Sequence, residues 1–136
     1  MAKRKARRPR EDGPHPTVPV WCEWENREID IDVDLAPLIR LLWEMDIRTA
    51  FSCQEEVPGE ASINFDNVND AAHFLTCAGQ PYIVEATRAY THGPNPRYLV
   101  WLKVWFPTVH IPYLVEDFEA VLQIMKETTP TEVDRG

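Results

Sequence analysis

Apolar and polar residues alternate along the stretch "VPVWCEWENREIDIDV" that follows residue 17. Such a period of two predicts strands with one buried face and one polar face. The apolar positions on one predicted face are Val18, Val20, Cys22 and Trp24 before the turn and Ile29, Ile31 and Val33 after it. Asn26 and Arg27 lie between the two apolar runs, and asparagine suits a left-handed turn position. The pattern therefore predicts a hairpin with a two-residue turn at Asn26 and Arg27.

The spacing of apolar residues changes to that of a helix in three places. Leu35, Leu38, Ile39, Leu42 and Met45 form one stripe, with Asp34 as the predicted N-cap. A second helix is predicted from about residue 69 to residue 78, with Gly79 as its stop. A third is predicted to begin at Pro112 and to end before residue 128.

Two further hairpins are predicted between these helices. The stretch "IRTAFSC" pairs with "ASINF" across "QEEVPGE", and "PYIVEATRAYTH" pairs with "RYLVWLKVWF" across "GPNP". The resulting order is β-β-α repeated three times. We therefore predict an α+β fold, with a mostly antiparallel sheet of about six strands and helices packed mainly on one face.

The chain has 136 residues, of which 44% are hydrophobic, and this suffices for one core. We predict a single domain over residues 17–127. Residues 1–16 combine basic residues with Gly13, Pro14 and Pro16, a composition that predicts a disordered basic tail. Residues 128–136, "TTPTEVDRG", are predicted to be a flexible C-terminal tail.

Charge is distributed very unevenly between the tail and the rest of the chain. Six of the 14 basic residues lie in the first ten positions: Lys3, Arg4, Lys5, Arg7, Arg8 and Arg10. The remaining eight accompany all 22 acidic residues, so residues 11–136 carry a net charge of −14. A surface of this sign repels phosphates, so nucleic acid is expected to bind only through the tail, if at all. A solubilising arm is the alternative role for the tail.

No apolar stretch approaches the roughly 20 residues that cross a bilayer, and no apolar segment follows the basic N-terminus. We therefore expect no membrane association and a cytoplasmic location. Cys22, Cys53 and Cys77 are odd in number and never form a C-x-x-C pair, which favours reduced thiols. Neither a cofactor nor a Cys and His metal site is predicted from their spacing.

Cys53 is either a small core residue or a nucleophile at the end of a strand. Alternation along "IRTAFSC" places it on one face with Ile47, Thr49 and Phe51, and Ser52 on the other. Because a thiol in apolar surroundings is inert, we expect Cys53 to be structural and interior. The alternative is that the strand frays and that Ser52 and Cys53 lie beside a catalytic pocket.

The strand "RYLVWLKVWF" is largely apolar on both parities. If the helices cover one face, Leu99, Trp101, Lys103 and Trp105, together with Trp21, form a patch on the other. Such a patch is typical of a dimer or ligand surface. The alternative is a central strand that is buried within one chain.

The first hairpin is rich in carboxylates. Its predicted turn places Glu25 opposite Glu28 and Glu23 opposite Asp30, and like charges directly opposite each other are destabilising. A hard cation held by Glu23, Glu25, Asp30 and Asp32 is one means of compensation, and a basic tail or partner is another. A solvated edge that discourages strand pairing is the structural alternative.

The segment "DLAPLIRLLWEMDIRTAFSCQEEVPGEASINF" resembles the helix-and-strand segment of the wybutosine-synthesis tRNA methyltransferase family. It is also similar to small bacterial and phage proteins with a T-x-x-S-C core and a later "FP...IP.L" segment, here "FPTVHIPYL". The matching residues are Thr49, Ser52 and Cys53, and the segment covers about a quarter of the chain. The methyltransferase resemblance implies an RNA-modifying enzyme with Ser52 and Cys53 near its pocket.

Together these patterns favour a non-catalytic binding protein. We expect it to form a homo-oligomer or to bind a protein partner through the face that bears the tryptophans, with the basic tail as an auxiliary tether. The RNA-modifying enzyme is the alternative function.

Overall fold

The computed structural model describes residues 15–135, and it describes side chains for residues 15–128. The predicted tail contacts of Lys3, Arg4, Lys5, Arg7, Arg8 and Arg10 lie outside the described residues. His15, which the predicted tail includes, has a buried side chain.

The described chain is α+β, as predicted. Its strands are β1 Thr17–Cys22, β2 Arg27–Asp32, β3 Phe51–Val57, β4 Glu60–Phe65, β5 Ile83–Thr91 and β6 Arg97–Pro107. Its helices are α1 Ala36–Glu44, α2 Val68–Ala78 and α3 Ile111–Arg135, and a 3-10 turn at Thr108–His110 precedes α3. Since α3 continues to Arg135, the predicted helix end before residue 128 is wrong. None of the helices in the described part of the chain combines the length and apolar character needed to span a bilayer.

The strands form two antiparallel sheets, so the single sheet of about six strands is wrong. β1 and β2 make a two-stranded sheet, while the other four follow the order β3-β4-β6-β5. The elements follow the predicted order, with the 3-10 turn before the last helix, but the three hairpins are divided between two sheets. The pattern of alternation could not reveal this, because it predicts strands but not which strands pair.

The core lies between the helices and one face of the four-stranded sheet, which we call the inner face. Ala61, Ile63 and Phe65 of β4 and Val104 and Phe106 of β6 are buried there. Their neighbours on β4 and β6 point to the opposite face, which we call the outer face. Helix α2 packs against β4 and β6, α1 packs against the two-stranded sheet, and α3 packs against both α1 and α2.

Helix α2 has the ends that its sequence predicts. The side chain of Asn67 accepts hydrogen bonds from the backbone N–H groups of Asn69 and Asp70 at 2.8 and 3.3 Å. Gly79 adopts φ = 65°, and its N–H donates to the carbonyl of Leu75. The left-handed conformation costs glycine little free energy, which explains why the helix ends at this residue. The helix therefore carries Phe74, one of its buried residues, into the core.

The first hairpin has a four-residue connection, so the predicted turn at Asn26 and Arg27 is wrong. Cys22 pairs with Arg27, and Asn26 has φ = 54°, which places it in the left-handed region. Glu28 consequently lies opposite Trp21, and the predicted pairing of Glu25 with Glu28 is absent. The partner of each residue thus moves by four positions, and an even shift preserves the parity, so Val20 and Ile31 still face the core.

Candidate functional site

The outer face of the four-stranded sheet brings four of the predicted binding residues together. Leu99, Trp101, Lys103 and Trp105 alternate along β6 and therefore share this face. Trp105 lies opposite Ser62 of β4 on one side and Ile83 of β5 on the other. These pairings extend the face across the sheet.

Large apolar side chains on this face are exposed. Phe51 of β3 pairs with Asn64, which in turn pairs with Lys103, so Phe51 also belongs to the outer face. The exposed fractions are 65% for Phe51 and 70% for Ile83, and Ile83 lies directly opposite Trp105. Leu99, Trp101 and Trp105 are half-buried. Leu99, Trp101, Lys103 and Trp105 therefore lie on one face of the sheet, while their role in binding stays a prediction.

Polar groups on the outer face are paired with one another around Lys103. Its ammonium lies 2.7 Å from Oε2 of Glu56 and 4.7 Å from the ring centroid of Trp105. The Trp105 indole N–H donates to Oε1 of Glu85 at 3.0 Å, and the Ser62 hydroxyl donates to Oε1 of Glu56 at 2.6 Å. Glu56 thus balances the charge of Lys103, and the Trp105 N–H and the Ser62 hydroxyl each have an acceptor.

This network changes the titration of Glu56. Burial alone would raise the pKa of Glu56, but hydrogen bonds from Lys103 and Ser62 and the lysine charge outweigh it, so the pKa is lowered. A carboxyl group whose pKa falls on folding stabilises the protein above its unfolded pKa of about 4.3. This contribution is lost as the pH falls through the lower folded pKa.

We therefore expect Glu56→Gln to reduce the free energy of unfolding more at pH 7 than at about pH 3. Urea titrations of both proteins at each pH measure this difference. The control is Glu119→Gln, which alters an exposed carboxylate of α3. Equal losses for Glu56→Gln at both pH values would contradict the assigned network.

Cys53 does not lie in the interior, and the prediction that it does is wrong. It pairs with Ser62, which lies opposite Trp105, so the sulfur belongs to the outer face and is half-buried. Residues 47–50 precede β3 and are not part of it, so the parity with Ile47 and Thr49 does not apply. Ile47 is buried although it precedes β3, so its burial says nothing about which face of β3 Cys53 occupies.

Ser52 and Cys53 point to opposite faces of the sheet. Ser52 pairs with Ile63, a buried residue of the inner face, whereas Cys53 faces outward. Adjacent strand residues cannot both line one pocket on one face. The structure therefore does not bring together the two residues of the predicted alternative site.

Trp21 does not join the four patch residues of β6. It lies on β1, in the other sheet, and helps to line a cleft of about 260 Å³. Trp24 and Trp43 line the same cleft, and their rings meet edge to face with centroids 5.1 Å apart. Trp21 is thus part of a different surface.

The four carboxylates that were considered for a hard cation do not form one site. Glu23 accepts from the Trp21 indole, and Glu25 pairs with Arg27 at 2.8 Å in the connection between β1 and β2. Asp30 lies opposite Pro19, so its predicted pairing with Glu23 is wrong. Asp32 is buried at the end of β2, where its Oδ2 accepts from the backbone N–H of Gln54.

A different group of potential ligands lies beside β3. One ligand atom from each of His15, Asp32 and Cys53 lies within 4.8 Å of the other two. No spacing pattern in the sequence predicts this cluster, because its members are separated by 17 and 21 residues and lie in different parts of the chain. Only the packing of the first hairpin beside β3 brings them together.

Comparison of the chain with protein-family models, with curated proteins and with solved structures finds no match.

Proposed function

We propose that this protein is a small self-associating binding protein, in which the outer face of the four-stranded sheet packs against the same face of a second copy. The observation that supports this best is the exposure of Phe51 and Ile83 beside the half-buried Trp101 and Trp105. Aromatic residues of this kind are enriched in protein interfaces. Two sheets packed face to face would cover all four side chains.

The size of the outer face suits a stable dimer. Four strands about 4.8 Å apart and about 25 Å long present roughly 500 Å² in projection, and protruding side chains increase the accessible area. Two such faces together approach the roughly 1,200–2,000 Å² that stable interfaces bury. Such an arrangement has a two-fold axis, so each residue of the face meets the same face of the partner.

The pairing of polar groups also suits burial in an interface. Burial of an unpaired charge is costly, but the Lys103 ammonium already has Glu56 as its partner, and the Glu85 carboxylate already accepts a hydrogen bond from the Trp105 indole N–H. The negative charge of residues 11–136 opposes self-association over longer distances. Salt screens such repulsion, so dimerisation should strengthen as ionic strength rises.

Sedimentation equilibrium tests the proposal with the full chain at several protein concentrations. The expected result is a mass that rises toward twice the chain mass of 15.8 kDa. Ile83→Asp places a charge within the proposed interface and should raise the dissociation constant of the dimer at least tenfold.

The matched control is Val109→Asp, because Val109 is also a β-branched residue and is 74% exposed, but lies in the 3-10 turn. This variant should dimerise like the parent chain. A mass that stays at that of one chain up to millimolar concentration, or equal effects of the two variants, would overturn the proposal.

An RNA-modifying enzyme is the second function that the sequence predicts, and it stays a prediction. Its resemblance rests on Thr49, Ser52 and Cys53. The opposite directions of Ser52 and Cys53 favour the binding protein over this alternative.

A further inference from the structure

The cluster of His15, Asp32 and Cys53 lies where the first hairpin meets β3. His15 and Asp32 are buried, with exposed fractions of 7% and 2%, and Cys53 is half-buried. Polar side chains at such depth need partners, because transfer from water to the interior is costly. The cluster therefore combines an imidazole, a carboxylate and a thiol in a sheltered place with one partly open side.

Hydrogen bonds orient two of these side chains from behind. Nε2 of His15 lies 3.3 Å from the backbone carbonyl of Glu55. A carbonyl only accepts, so Nε2 carries the proton in this contact and Nδ1 keeps its lone pair. Metal-binding histidines commonly donate their other N–H to a backbone carbonyl in this way.

Asp32 is held in a comparable manner. Its Oδ2 accepts from the backbone N–H of Gln54 at 2.9 Å. The Gln54 side chain in turn accepts from the backbone N–H of Asp34 at 2.7 Å. The backbone of β3 thus holds the Asp32 carboxylate, and the Gln54 side chain joins β3 to the connection that follows β2. Such support behind a ligand orients it and maintains its position.

The mutual distances distinguish a ligand set from a catalytic relay. In a nucleophile–base–carboxylate relay the imidazole lies between the outer two groups, which are then about 7 Å apart. Here all three atoms, the Cys53 sulfur and an Asp32 oxygen included, lie within 4.8 Å of one another. This triangle surrounds a common point and does not form a line.

We infer that His15, Asp32 and Cys53 bind a zinc ion. Zinc accepts nitrogen, oxygen and sulfur together, whereas a thiolate excludes Mg²⁺ and Ca²⁺. A tetrahedral zinc ion holds its ligand atoms about 3.5 Å apart, so ligand atoms that now lie within 4.8 Å of one another need to approach by at most about 1.3 Å. Three protein ligands leave a fourth position for water or another ligand.

Competition with a chromophoric zinc chelator tests this inference on the full chain after removal of bound metal. The parent chain should bind one equivalent of zinc, and His15→Gln, Asp32→Asn and Cys53→Ser should each weaken that affinity at least tenfold. His73→Gln and Cys77→Ser are matched controls, because these side chains lie on α2 and outside the cluster. Both controls should bind zinc like the parent chain.

Alkylation with iodoacetamide gives a second readout that does not depend on the folding of a variant. One equivalent of zinc should slow the modification of Cys53 at least tenfold and leave that of Cys77 unchanged. Absence of stoichiometric zinc binding, equal affinities for all five variants, or no protection of Cys53 would overturn the assignment.

The zinc site does not rest on the proposed dimer. Repeating the zinc titration with Ile83→Asp separates the two proposals, because this variant should lose dimerisation and keep the metal. A parent chain that stays monomeric and still binds zinc would contradict only the proposed function.

Discussion

Replacement of Phe74 by alanine is expected to lower the free energy of unfolding by about 3–5 kcal/mol. Phe74 is fully buried on α2 and meets three other phenylalanine rings. Its ring stacks on Phe118 with centroids 5.4 Å apart and lies 5.5 Å from Phe65 and 6.2 Å from Phe106. These neighbours come from α3, β4 and β6, so loss of the ring leaves a cavity where α2, α3 and the four-stranded sheet meet.

Urea titrations of the parent chain and of Phe74→Ala measure this loss. Tyr113→Ala is the control, because Tyr113 is 66% exposed on α3 and its truncation should cost less than about 1 kcal/mol. The slope with urea should stay the same in all three proteins if only stability changes. A loss below about 1 kcal/mol for Phe74→Ala would show that the four rings do not form the centre of the core.

The second large effect concerns the proposed dimer. Lys103→Met is expected to weaken the dimer roughly 100-fold, because it leaves Glu56 buried at the interface without its cation. In the monomer the same change should cost less than about 1 kcal/mol, since the ion pair is partly exposed there. Sedimentation equilibrium measures the first quantity, and urea unfolding at low protein concentration measures the second.

The matched control for this variant is Lys126→Met. Lys126 of α3 also pairs with a glutamate, Glu44 at 3.1 Å, but both side chains are more than half exposed and lie away from the outer face. This variant should dimerise like the parent chain. If Lys103→Met dimerises as tightly as Lys126→Met, the ion pair of Lys103 and Glu56 does not lie in the interface.

Local patterns in the sequence predict the elements of this fold well. Alternation identifies the strands, and the spacing of Ala71, Phe74 and Ala78 identifies α2 and its buried side. The stop at Gly79 is predicted because the left-handed conformation favours glycine. These properties depend on neighbours along the chain, and therefore a single sequence reveals them.

The division into two sheets and the place of Cys53 depend on contacts between distant residues. Alternation predicts that Phe51 and Cys53 share one face of the strand. Because Ile47, which is buried, has the same parity, that face was predicted to be the interior one, whereas it is the outer face. Likewise, nothing local relates His15 to Asp32 or Cys53, which meet only through the packing of β2 beside β3. The patch of Trp101 and Trp105 was predictable because it follows from alternation along one strand.

Hydroxyl-radical footprinting below and above the concentration at which the protein dimerises tests the central claim most directly. The account predicts that oxidation of Phe51, Trp101 and Trp105 falls at the higher concentration, while that of Tyr113 on α3 is unchanged. Protection of Tyr113 or Trp21 with no protection of Trp101 and Trp105 would contradict an interface on the outer face.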